Sequence, residues 1–116
     1  MDYYNIFCDL KPGQRDLEFV EHLGRYLGKL KAEGLIESFR ITRRKLGFGI
    51  AGLGEFHIVI ETKDLAQLDR AFQFVSTRAE PVEGLHHGVN SRVDNFQGAL
   101  YRDFPDPQRR TGEEKF

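Results

Sequence analysis

The sequence predicts an α+β domain in the order strand, helix, strand, strand, helix, strand, with a four-stranded antiparallel sheet carrying both helices on one face. Three observations predict it. Residues 55–62 alternate Phe56, Ile58 and Ile60 with Glu55, His57, Val59 and Glu61, which gives a strand one face for a core and another bearing a histidine between carboxylates. Residues 14–33 place Phe19, Val20, Leu23, Tyr26, Leu27 and Leu30 at helical spacing, and a second helix repeats the pattern with Leu65, Leu68, Ala71, Phe72 and Val75. Strand-like stretches precede and follow these segments in the split βαβ order, whose crossover rules put the first and third strands at the centre of the sheet.

The first strand sends Tyr4, Ile6, Cys8 and Leu10 one way and Tyr3, Asn5, Phe7 and Asp9 the other, until Pro12-Gly13 ends it. Gly34 suits the C′ position of the first helix, and Gly24 and Gly28, one turn apart within it, predict close packing against that track. Residues 35–46 form the second strand, with Phe39 and Ile41 facing away from Arg40, Thr42 and Arg44. A glycine-rich loop over 47–54 leads to the central strand, and Asp64 with Gln67 three residues on makes a capping-box-like start for the second helix. Between residues 80 and 93, Pro81, Gly84 and Gly88 surround His86-His87 and predict a loop with one short helical turn. The last strand lies within 95–104, where Phe96, Leu100 and Phe104 oppose Ala99 and Tyr101 without clean alternation. Residues 1–104 therefore form one domain, and 105–116, with Pro105, Pro107 and many charges, form a mobile or partner-draped tail.

The 116 residues suffice for one packed sheet-and-helix core. Basic and acidic residues number 17 and 18, so no global field draws in nucleic acid or an anionic membrane, and neither is an expected partner. Cys8 is the single cysteine, which rules out an intrachain disulfide; with no charged-then-apolar leader in residues 1–4, the expected location is cytoplasmic. No apolar run approaches the ~20 residues that span a bilayer.

Strand parity gathers Asn5, Phe7, Asp9, Arg40, Thr42, Arg44, His57, Val59 and Glu61 on the sheet face without helices. Residues 38–46, Ser-Phe-Arg-Ile-Thr-Arg-Arg-Lys-Leu, and 99–106, Ala-Leu-Tyr-Arg-Asp-Phe-Pro-Asp, look like those of a small bacterial family without assigned function. Over residues 3 to about 104 the chain resembles the dimeric α/β-barrel superfamily of ferredoxin-like proteins, to which that family belongs. The resemblance implies a homodimer in which two open sheet faces enclose a cleft. It implies little chemistry, because the superfamily spans cofactor-independent monooxygenases, haem-binding enzymes, isomerases and proteins without known activity.

The expected occupant of that cleft is a small organic molecule oriented by Asn5, Arg40, Arg44 and Glu61, with His86 leaning over the mouth. His57 is the candidate catalytic residue, an imidazole beside Glu55 and Glu61 that is suited to proton transfer in an oxygenase-like or isomerase-like reaction without a cofactor. The plainer alternative is a non-catalytic scaffold in which the same charges fix the register of the dimer. His86-His87 lacks accompanying ligands at metal-binding spacing, so no metal is expected, and Cys8 shares the core-facing side with Ile6. Gly47, Gly49 and Gly52 match G-x-G-x-x-G, but a strand follows where a nucleotide site needs a helix. Residues 6–10 and 45–50 also look somewhat like the first- and third-strand motifs of the RNA-recognition domain, which keeps single-stranded RNA binding as a further alternative.

Overall fold

The computed structural model describes residues 1–113. Its elements are β1 (Asp2–Leu10), α1 (Asp16–Ala32), β2 (Ser38–Arg43), β3 (Phe56–Thr62), α2 (Leu65–Ser76), α3 (Val82–Asn90) and β4 (Val93–Arg102). The sheet order is β2-β3-β1-β4 and every neighbouring pair is antiparallel, the ferredoxin-like arrangement with β1 and β3 central.

The register confirms the parity of the strands. Ile6 lies opposite Ile58 and Phe7 opposite His57, while Ile41 lies opposite Ile58 and Thr42 opposite His57. Cys8, Phe56, Ile58 and Ile60 thus turn to the helices and are buried against Phe19, Leu23, Leu27 and Leu30 of α1. Phe19 meets Phe56 edge-on with ring centroids 5.1 Å apart. Burial pushes the Cys8 thiol up to about 11, so it acts as a small apolar residue. At the start of α2, the Asp64 carboxylate accepts from the Gln67 N–H at 2.8 Å, and the Gln67 carboxamide oxygen accepts from the Lys63 N–H at 2.7 Å.

Four expectations change. The stretch read as a loop with one turn is the nine-residue helix α3, whose Val82, Leu85, His86 and Val89 fall at helical spacing. Pro81 occupies its N-cap, so that breaker precedes the helix rather than interrupting it. In β4, the pairs Phe7↔Gln97 and Asp9↔Asp94 leave one extra residue on β4, and Asn95 takes a left-handed φ of 52° there. The bulge reverses the facing of β4 between Asp94 and Gln97; beyond it the pairing is regular, and the alternation is unclear there because both faces carry apolar side chains. A Cβ placed on Gly24 or Gly28 meets nothing within 4 Å, since the buried stripe of α1 runs beside them through Leu23, Leu27 and Leu30. Glu55 falls before β3, where Arg43 engages its carboxylate at 2.7 Å, so it does not flank His57. In the tail, the Asp103 N–H donates to the Met1 carbonyl at 3.2 Å and the Arg109 N–H to Asp106 at 2.9 Å; residues 114–116 lie outside the described residues.

Candidate functional site

On the open face, the Asn5 Nδ2 amide donates to the carbonyls of Tyr3 (3.1 Å) and Ala99 (3.4 Å), which turns its Oδ1 towards His57 Nε2 at 2.9 Å. An amide oxygen only accepts, so this arrangement assigns the proton of the neutral imidazole to Nε2 and leaves Nδ1 as the basic atom. The ring stacks on Phe7 with centroids 4.4 Å apart and planes 8° from parallel. The Thr42 hydroxyl donates to the His57 carbonyl at 3.0 Å and ties β2 to β3 at this point. Burial holds the imidazole below its ordinary 6.5, so it is neutral at neutral pH.

The other candidate residues are not gathered around it. Glu61 is four residues along β3 from His57, about 13 Å at the rise of a strand, and accepts a hydrogen bond from the Ser38 hydroxyl at 2.7 Å. Arg40, opposite Val59, is exposed, and its side chain makes no hydrogen bond or ion pair among the described residues. Arg44 follows β2 and donates to the Leu53 carbonyl. Asp9 accepts from Asn95 Nδ2 at 3.0 Å and from the Glu55 N–H at 2.8 Å, and these bonds, with the nearby Arg44 charge, hold its carboxyl below the usual range. His86 lies on α3, against Tyr26 and on the opposite side of the sheet from His57, because the segment that carries it is a helix packed on α1. The face therefore assembles Asn5, Phe7 and His57 closely, keeps Arg40 within a side chain's reach, and separates Glu61, Arg44 and His86.

The glycine-rich segment opens no helix; β3 follows it, so no helix N-terminus is available there for a phosphate. It carries Leu46, Phe48 and Ile50 outward. Residues 45–50, likened to a third-strand RNA motif, thus belong to the loop, and Phe48 does not join Phe7 on the sheet. Among the described residues no group of three or more His, Cys, Asp or Glu is placed to hold a metal ion, and no helix is long and apolar enough to cross a membrane.

Two features were missed by reading the sequence. One is the buried Asp2, whose carboxylate takes Arg102 Nε at 2.6 Å and so ties the outer strand β4 to β1. The other is a cavity of about 720 Å³ behind the sheet, walled by Ile58 and Ile60 of β3, Leu27 of α1, Ala71 of α2 and His86 of α3. The spacing of Val82, Leu85 and Val89 was the available signal for the helix that closes it.

The family of unknown function DUF6614 matches residues 1–116. Among solved structures, the chain is similar to the Arabidopsis thaliana protein At3g17210 with a TM-score of 0.69 at 11% identity, covering 91% of this chain and 98% of that one. It is also similar to a dimeric protein of unknown function and ferredoxin-like fold from Bacteroides fragilis, with a TM-score of 0.55 at 9% identity, covering 88% and 95%. No curated protein matches the chain.

Proposed function

We propose that this chain, which belongs to the family of unknown function DUF6614, works as a homodimer joined through the open faces of its two sheets. The observation that carries this reading is the Asn5–His57–Phe7 group. The Asn5 amide and His57 Nε2 are already paired within the chain, which leaves His57 Nδ1 as the one polar side-chain atom of the group without a partner among the described residues, and the group is flanked by Val59 and Ala99 on a sheet face that no helix covers. Polar groups satisfied in advance can be buried by a partner at little cost, whereas unsatisfied ones cannot. The dimeric Bacteroides fragilis protein of the same fold supports the reading. In such a dimer the face serves assembly, and the hydrogen-bonded side chains fix its register.

The test is the mass in solution. Light scattering is expected to give twice 13.4 kDa for the natural sequence, and Phe7→Glu, which sets a charge in the middle of the face, is expected to give a folded 13.4 kDa monomer. A natural chain that stays monomeric throughout a concentration series removes the reading.

A second reading is favoured by Arg40, which points a guanidinium without an ion-pair partner to the same face. Here the two sheets hold a small organic anion between them, oriented by Arg40, Asn5, His57 and Glu61. His57 Nδ1 is then the atom available for proton transfer. An anion that binds the dimer and is lost on Arg40→Ala and His57→Ala supports this reading; one indifferent to both substitutions sinks it.

A further inference from the structure

We propose that the cavity between the sheet and its three helices is a binding site for a small organic acid, an apolar body bearing one carboxylate. A half-open space of about 720 Å³ falls in the range of small-molecule sites, about 300–1,000 Å³. Its deep walls are apolar, formed by Ile58, Leu27, Ala71 and their neighbours, and suit a hydrocarbon or aromatic body.

Its polar lining comes from Tyr4 of β1, Tyr26 of α1, Arg78 just after α2, and Glu83, His86 and His87 of α3. The Tyr26 hydroxyl makes no hydrogen bond among the described residues, and burial pushes it up to about 12, so it stays protonated and ready to donate. The His86 ring tilts against Tyr26 at 5.3 Å. His87 and Arg78 also line it, and neither side chain has a hydrogen bond or ion pair among the described residues. One carboxylate, Glu83, lines it as well. A donor set of this kind selects an acceptor with negative charge, and the apolar walls exclude a molecule charged at both ends. This site is independent of how two chains pair, because every wall belongs to one chain.

The probes are decanoate and 1-naphthoate, titrated calorimetrically into the full-length chain. One molecule of either is expected to bind per chain, and methyl decanoate at least tenfold more weakly than decanoate. Tyr26→Phe and His86→Gln preserve the packing and are each expected to weaken decanoate about tenfold or more, as for a lost hydrogen bond to a charged group. Lys31→Ala, exposed on α1 and outside the cavity lining, is expected to leave binding unchanged. Amide shifts on adding decanoate locate the ligand even if a variant folds poorly, and those of residues 26, 58 and 86 should move most. The proposal is overturned if neither acid binds saturably, if the ester binds as well as the acid, or if the two cavity variants bind normally. Loss of binding on His57→Ala, with shifts centred on residues 5, 40 and 57, also overturns it and places the ligand between the sheets instead.

Discussion

Because Asn5 gives its amide hydrogens to two carbonyls and its oxygen to His57 Nε2, protonation of the imidazole at Nδ1 leaves that hydrogen bond intact, and loss of water alone depresses the titration. In the natural chain His57 is expected to titrate below 6.5 by NMR. In Asn5→Asp a carboxylate takes the place of the amide, so the titration should move above the natural value; an unmoved resonance shows that Asn5 is not the partner. Gly54 is a second residue with a sharp requirement, since a Cβ there would lie 2.4 Å from the Cys8 backbone nitrogen. Gly54→Ala must push the start of β3 away from β1, and the urea midpoint should fall by the equivalent of about 1–3 kcal/mol. The shared face of His57, Asn5 and Arg40 was legible, because alternation of period two needs no partner to read. The pairing of Asn5 with His57 was not, because it depends on a cross-strand register set by contacts far apart in the chain.

The helices differ in how openly their sequences declare them. α2 begins at an acidic cap with its reciprocal glutamine, both visible in the sequence, and Asp64→Ala should lower stability by about 1 kcal/mol in thermal or urea unfolding by leaving the Gln67 N–H without its acceptor. α3 was hidden because Pro81, Gly84 and Gly88 are ordinarily breakers, and only packing against α1 outweighs their cost. The bulge in β4 was hidden for a different reason. Its left-handed Asn95 is held by Asp9 and by the Gly52 carbonyl, contacts that join three distant segments and leave no local pattern in the sequence. The cavity depends on α3, so the same breakers concealed the space behind the sheet.

Taken as a whole, a single chain is thin for its length: 19 Å through its shortest dimension, with a radius of gyration of 16.1 Å against the roughly 13 Å usual for a compact domain of this size. One sheet with one layer of helices accounts for that thickness and leaves one face of the sheet open to a second copy. Pairing the open faces would remove more water from His57, which is already held below 6.5 by burial, and would press its titration lower still. A histidine with a depressed pKa favours the folded, associated state above its ordinary pKa, and that contribution is lost as pH falls from 6.5 through the depressed value. A dimer paired through these faces should therefore loosen on acidification. Sedimentation velocity at about pH 7.5 and about pH 5 is expected to show a larger monomer fraction at the lower pH, spanning the range in which histidine titrates. His57→Gln, which offers Asn5 an amide donor without a titrating ring, should remain dimeric with a flatter response. If the natural chain and His57→Gln dissociate alike as the pH falls, His57 does not lie in the interface, and the face that carries it is covered by something else or by nothing.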